Sequence, residues 1–408
     1  MKRRFAILSV LFIAGLLLSY NNCGGIKAVT AESQDDKYGG GGSGDGTPEV
    51  PITSSFALVH SYSSASNKLF TIGSDGLLTE AGMPLKNGFN GNNAVFDRAR
   101  GFAYSTSNQT LNGFVIDVLD GVMRPMGPPL VTIAQTFNGY PKFDSTNKRF
   151  FAATTDNLGV GTISGYQLSA NGMSVTALNS SITLNSIGTP SFPPNGRFMY
   201  VTHQPVTGQP FTTQIFLIAA NGMISTGGTT PTFAALPQFD SQSRWRYSIN
   251  GFAANQLVVH SMNSADGSLT QVQAVQLPVP TGTSFLDVRA MEIDKNDKYL
   301  YVTFMRIDGP NGVASVNNSV LMKFAINQTT GALTEAAQVV MPGHVISLAI
   351  DPDNKGVYVV QPDFTNNSGS VIRQFTTDGN GNTLTMSPTN FFFQGVGAYE
   401  ITTLKFTR

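Results

Sequence analysis

The chain of 408 residues carries 25 Lys+Arg against 25 Asp+Glu, and charged side chains make up only 12% of it, about half the share usual in soluble domains. So neutral and charge-poor a chain lacks the basic face of a nucleic-acid binder, while 41% hydrophobic content supports a large core and excludes an acidic disordered chain. The single cysteine, Cys23, rules out an intramolecular disulfide and any cysteine-built metal cluster.

Residues 1–22 read as an export signal. Lys2, Arg3 and Arg4 form a positive start, followed by an apolar run over 5–18. That run suits a signal h-region and is short for a membrane-spanning helix. Cys23 stands just behind it, in Leu18-Ser19-Tyr20-Asn21-Asn22-Cys23-Gly24. The arrangement resembles a bacterial lipoprotein signal, in which the cysteine is acylated and becomes the mature N-terminus. The expected address is therefore the bacterial cell envelope, lipid-anchored at the outer membrane or cell surface. With the signal and its three positive charges removed, 22 basic residues face 25 acidic ones. Residues 23–52 contain Gly39-Gly40-Gly41-Gly42-Ser43-Gly44, the composition of a flexible tether.

From residue 53 to 408 short β-branched and aromatic runs alternate with Gly, Asn and Asp turns, which is an all-β pattern. An apolar residue followed by Asp opens a turn at Phe96-Asp97, Phe143-Asp144, Phe239-Asp240, Ile293-Asp294 and Ile350-Asp351. Phe192-Pro193 holds the same place, and Phe406-Thr407 is a truncated seventh copy. A second series of turn glycines also counts to seven: Gly76, Gly121, Gly172, Gly222, Gly267, Gly331 and Gly381. Four antiparallel strands repeating at about 50 residues describe a propeller blade. The first copy begins with a second-strand pattern over 56–62, and the chain finishes with a lone inner strand over 401–407. Pairing the two would remove the open edges of the ring. The expected fold is a closed seven-bladed β-propeller of four-stranded antiparallel blades, and a monomer.

Pro194-Asn195-Gly196-Arg197-Phe198-Met199-Tyr200-Val201-Thr202 resembles the blade motif of lactonase-type propellers. That family includes phosphogluconolactonase, muconate-cyclising enzymes and surface-layer repeat proteins. Lys298-Tyr299-Leu300-Tyr301-Val302-Thr303 and Gly356-Val357-Tyr358-Val359-Val360 are similar to the same motif, and Thr329-Thr330-Gly331-Ala332-Leu333-Thr334 to the family's outer hairpin. The resemblance implies the propeller fold and a ligand site at the mouth of the central channel. Its enzymes carry an Arg and a His just before an inner strand. Here Asp287-Val288-Arg289-Ala290 supplies the Arg and has Ala290 at the His place.

Counting back seven residues from each turn position gives Asp287, His344 and Glu400 in three consecutive blades. Counting back two gives Lys142, Glu292 and Lys405. Arg289, His344 and Glu400 are the candidate catalytic residues, a guanidinium for a developing oxyanion and two proton acceptors. Asp287, Glu292, Lys142 and Lys405 are candidate ligand-binding residues. His60 and His260 fall in second or third strands and read as packing or surface residues; His203 ends a strand near the rim. Asp378-Gly379-Asn380-Gly381-Asn382 imitates a calcium loop, but Thr383 and Thr389 occupy its required Gly and Glu positions, so it reads as a turn. No metal or cofactor is expected. The incomplete Arg-His motif and the lipid anchor favour a binding module for a protein, glycan or small ligand, touching the membrane through the anchor alone; the alternative is a lactone hydrolase or cyclising enzyme built on Arg289.

Overall fold

Alternation of apolar side chains over short segments, broken by Gly and Asp turns, resolves into seven antiparallel sheets and no helix among the described residues. The computed structural model describes residues 53–407 apart from 62–66, 86–93, 98–100, 108, 118–121, 133–135, 138–141, 145–147, 156–159, 186, 189, 206–210, 231–233, 251–255, 279–282, 309–318, 364–368, 378–382 and 395–397. The signal, Cys23, the tether, Gly121, Gly381 and the Asp378–Asn382 turn lie outside the described residues.

Blade 1 orders its strands as Ala398–Thr407, Thr53–Ser61, Asn67–Ile72 and Leu78–Leu85 from the inside out. The C-terminal strand therefore completes the N-terminal blade, with Phe406 opposite Ser54 and Leu404 opposite Phe56. Blade 2 contains Ala94–Asp97, Phe102–Ser107, Thr110–Asp117 and Val122–Pro125, and blade 3 contains Lys142–Phe143, Arg149–Thr155, Val160–Leu168 and Val175–Asn185. Blade 5 runs Ala234–Phe239, Trp245–Asn250, Gln256–Met262 and Leu269–Gln276. Blade 6 runs Thr283–Ile293, Tyr299–Asp308, Ser319–Ile326 and Leu333–Met341, and blade 7 Ser347–Ile350, Gly356–Asp363, Gly369–Thr377 and Leu384–Gln394.

Blade 4 departs from the four-strand expectation. Its sheet holds Phe198–His203, Thr212–Ile218 and Ile224–Thr230, and its inner strand shrinks to two isolated bridges, Ile187 to His203 and Ser191 to Tyr200. Pro190, Pro193 and Pro194 flank those bridges, and a proline has no N–H to donate to a ladder.

The recurring Asp of the inner turn is a structural cap. Asp97, Asp144, Asp240, Asp294 and Asp351 are all buried. Asp240 accepts from the backbone N–H of Arg244 (2.6 Å) and Trp245 (2.7 Å), and Asp294 from that of Tyr299 (2.7 Å). Each carboxylate thereby satisfies amides that the tight turn leaves unpaired. Three residues on, Ser243, Asp297 and Asn354 adopt φ of 55°, 57° and 61°. Their side chains accept backbone N–H groups from the preceding blade, at Asn195 (2.8 Å), Ser241 (2.9 Å) and Lys295 (3.4 Å) respectively. Adjacent turns are thus linked around that end of the ring.

The outer hairpin glycines make the second set of joints. Gly331 has φ of 71° and lies so close to the Trp245 ring of blade 5 that a Cβ would collide with it. Tyrosines of the second strands reach across to these hairpins. Tyr104 donates to Gly172 O (2.8 Å), Tyr200 to Gly267 O (2.6 Å), and Tyr358 of blade 7 to Gly76 O of blade 1 (2.8 Å). The closing joint is therefore built like the internal ones. It also has its own apolar core, in which Ala57, Val59 and Phe70 pack against Tyr358, Val360 and Ile372.

Candidate functional site

The inner strands of blades 6, 7 and 1 are stitched side to side. Glu292 accepts from Ile350 N–H (3.1 Å), Ser347 Oγ accepts from Ile401 N–H (3.2 Å), and Thr403 donates to Ile350 O (2.7 Å). Arg289, His344 and Glu400 each lie on the N-terminal side of these bonds, on or just ahead of three adjacent inner strands. The inner strands of blades 6 and 7 run into the same Asp turn, and the closing strand holds the corresponding place in blade 1, so the three backbone positions share one end of the ring.

Arg289 sits at a β-bulge. Val288 pairs with Phe304 and Ala290 with Thr303, which leaves Arg289 as the extra residue. A bulge turns the side chain out of the ladder's alternation, and Arg289 is exposed. Ala290, where the resemblance places a histidine, packs against the core between blades 6 and 7, among Tyr301, Leu348 and Val357. That position adds no proton acceptor.

His344 is half-buried in the Pro342-Gly343-His344 segment ahead of the inner strand of blade 7. The segment is fixed from two sides. Ser319 Oγ donates to Gly343 O (2.6 Å) and Gln361 Nε2 to Pro342 O (2.8 Å), while Arg373 Nε donates to Gln361 Oε1. These supports were not identified from sequence, because nothing in the local spacing of Ser319, Gln361 or Arg373 marks them. Only the cross-strand register brings Gln361 near the loop.

Glu400 stands on the closing strand with its backbone opposite His60, and Asp287 pairs across its blade with Met305. The side chains of Glu400, Asp287 and Lys405 lie outside the described residues. Lys405 is opposite Ser55 near the far end of the closing strand. Lys142 is exposed on the short inner strand of blade 3, opposite Phe151 and away from the three adjacent strands. The Glu292 carboxylate makes the bond that joins the inner strands of blades 6 and 7. Among the described residues no three His, Cys, Asp or Glu side chains converge in a metal-binding group.

A separate cleft of about 390 Å³ opens at the other end, between the turn of blade 7 and the hairpin of blade 1, lined by Ser55, Thr71, Ser74, Asp351, Asp353 and Lys355. Its charged groups are engaged in holding the fold. Asp351 accepts from Lys355 N–H (3.0 Å), Lys355 Nζ donates to Ser74 O (2.5 Å), and Asp353 pairs with Lys295 (3.1 Å).

No family model and no curated protein sequence matches the chain. Solved structures do. The periplasmic gluconolactonase of Pseudomonas aeruginosa is similar with a TM-score of 0.66 at 14% identity, over 86% of this chain and 99% of that one. A candidate 6-phosphogluconolactonase from Bacteroides fragilis is similar with a TM-score of 0.62 at 16% identity, over 86% and 98%. Another from Bacteroides uniformis gives 0.63 at 16% identity, over 86% and 99%. At this level of identity the likeness establishes the shared propeller fold.

Proposed function

We propose that the protein is an exported lactone hydrolase, held at the cell envelope by an acylated Cys23, with its site where Arg289, His344 and Glu400 meet the channel. The observation that carries this reading is Arg289, exposed on a bulge in the inner strand of blade 6, with His344 just ahead of the inner strand of the next blade. Structural neighbours named for lactonase activity support the same chemistry. One of them is named as periplasmic, which agrees with an export signal on a lactonase-like propeller.

In this reaction a water attacks the lactone carbonyl and His344 or Glu400 takes its proton. The guanidinium of Arg289, a planar fork of N–H donors, binds the oxyanion that forms. The intermediate collapses by breaking the acyl C–O ring bond, and the departing alkoxide recovers the proton to give the hydroxy acid. The test is proton release from a small panel of sugar lactones, phosphorylated and not. Arg289→Ala is expected to lower kcat by about 100-fold or more, the usual effect of removing one oxyanion donor. Unchanged turnover would remove the assignment.

A second reading, a channel-mouth binding module, is favoured by Ala290 packing into the core where a catalytic histidine would stand. Retained binding of a lactone or its acid with no hydrolysis by the wild type would select it. For the anchor, Cys23→Ser is expected to release the protein from membranes with the propeller intact.

A further inference from the structure

One buried pair breaks the repeat. In six blades the second-strand residue at one core position is Ala57, Ala103, Phe150, Met199, Leu300 or Val357. Its partner on the third strand is always aromatic: Phe70, Phe114, Tyr166, Phe216, Phe324 or Phe375. Blade 5 alone has Arg246 opposite His260 there. Neither is a surface residue, since Arg246 is 0% and His260 4% exposed.

The pair faces blade 4 through the apolar cluster of Phe198, Tyr200, Ile215 and Met262. The Arg246 guanidinium lies 5.3 Å from the Tyr200 ring centre, which attracts the charge but gives its N–H groups no acceptor. The Tyr200 hydroxyl is already donating to Gly267 O. Nε, Nη1 and Nη2 of Arg246, and Nδ1 of His260, have no hydrogen-bond partner among the described residues. A guanidinium stays charged in a protein, and an isolated buried charge is among the most costly arrangements a core can hold. The charge therefore needs a counter-charge that the surrounding apolar side chains do not supply.

We propose that Arg246 and His260 form a buried halide site between blades 4 and 5, occupied by chloride. A small monovalent anion suits the place: it needs only N–H donors, and the guanidinium and a neutral imidazole both provide them. Burial and the neighbouring Arg246 hold His260 neutral by pulling its pKa down to about 4, so it contributes a donor without adding a second positive charge. The anion would act as a structural ion, making the stability of one joint depend on salt identity and not only on ionic strength.

The test compares thermal unfolding of the purified protein in sodium chloride and in sodium methanesulfonate at equal ionic strength and pH 7.5. A saturable rise of several degrees with chloride is expected, reproduced by bromide. Arg246→Met, which places in blade 5 the residue that blade 4 already uses, is expected to abolish the difference. Equal midpoints in the two salts, or an undiminished chloride response in R246M, would overturn the proposal. Should R246M not fold, a bromide-soaked crystal of the wild type decides: an anomalous peak against the Arg246 guanidinium supports the site, and an ordered water alone at that place overturns it.

Discussion

The joint between blades 2 and 3 and the joint between blades 4 and 5 share one plan and differ in one pair. In the first, Tyr104 donates to Gly172 O (2.8 Å) and its ring stacks on Phe150 at 6.3 Å, which in turn stacks on Tyr166 at 5.0 Å. In the second, Tyr200 donates to Gly267 O (2.6 Å), and its ring faces Arg246, which is paired across the strands with His260. The backbone accommodates either pair without losing the hairpin bond. The difference shows that the repeat specifies its joints through backbone geometry and the tyrosine clamp, while the centre of each joint is free to change chemistry.

Opening the ring has the largest expected effect, because both joints depend on closure. Deleting 400–408 strips the inner strand from Thr53–Ser61 and leaves an unpaired edge where the ring was sealed. Aggregation and loss of the cooperative melt are expected, read by size-exclusion chromatography and calorimetry. Deleting 24–50 should leave the melt unchanged.

Next comes the direct exchange. Phe150→Arg would put the chemistry of the second joint into the first, without a His260 equivalent beside it. Phe150 is 0% exposed, so the substitution should cost more than about 4 kcal/mol, the range of an uncompensated buried charge. Urea unfolding measures it. A loss under about 1 kcal/mol would mean that any joint tolerates a guanidinium and that blade 5 is not special.

A smaller effect follows from acid. The folded-state pKa of His260 is lowered from 6.5 to about 4, first by burial and then by Arg246. Between those values the unfolded chain binds the extra proton and the folded one does not, so stability is complete above pH 6.5 and falls as pH drops toward 4. In chloride-free buffer the loss reaches up to about 3 kcal/mol, and a bound chloride, which favours the imidazolium, should reduce it. His260→Phe, the residue of five other blades, should flatten this part of the profile. An unaltered profile would place the acid sensitivity elsewhere.

The smallest contrast is between two tyrosines. Tyr358→Phe removes the hydroxyl bond to Gly76 O across the closing joint and should lower stability by about 1 kcal/mol. The Tyr247 hydroxyl is buried with no hydrogen-bond partner among the described residues. Tyr247→Phe should therefore be neutral or slightly stabilising, since no bond is lost and a buried polar group is removed. Chemical denaturation of the two variants side by side separates the clamp from mere aromatic packing.

Much of this architecture is local and therefore legible along the chain. The Asp turns, the hairpin glycines and the strands they bound depend on backbone conformations that particular residues adopt, and those residues recur in order. The seal between Ala398–Thr407 and Thr53–Ser61 follows from counting, because a first copy without its inner strand and a last copy that is only an inner strand have a single way to close the ring. Pro190, Pro193 and Pro194 stand where the inner strand of blade 4 shrinks to two bridges, but the repeat count led to an expectation of four strands there. Arg289 was picked out by a family resemblance; its bulge was not, because a bulge is a mismatch between two strands and needs both to be seen.

Tertiary structure alone decided what each joint contains. His260 reads in sequence as a packing or surface residue, and Arg246 as an ordinary basic residue between Trp245 and Tyr247. Alignment of the blades on their turns would have set Arg246 in a column of Ala, Phe, Met, Leu and Val, yet the column has meaning only once that face is known to be sealed by the next blade. Burial is a property of the partner surface, and the partner of blade 5 is brought there by the closure of the whole ring. The chain thus dictates where it turns and where it ends its strands, through steric and hydrogen-bonding preferences that act over a few residues. Which side chains then lose their water is settled by contacts between segments about 50 residues apart, and it is there that the guanidinium of Arg246 acquires its cost.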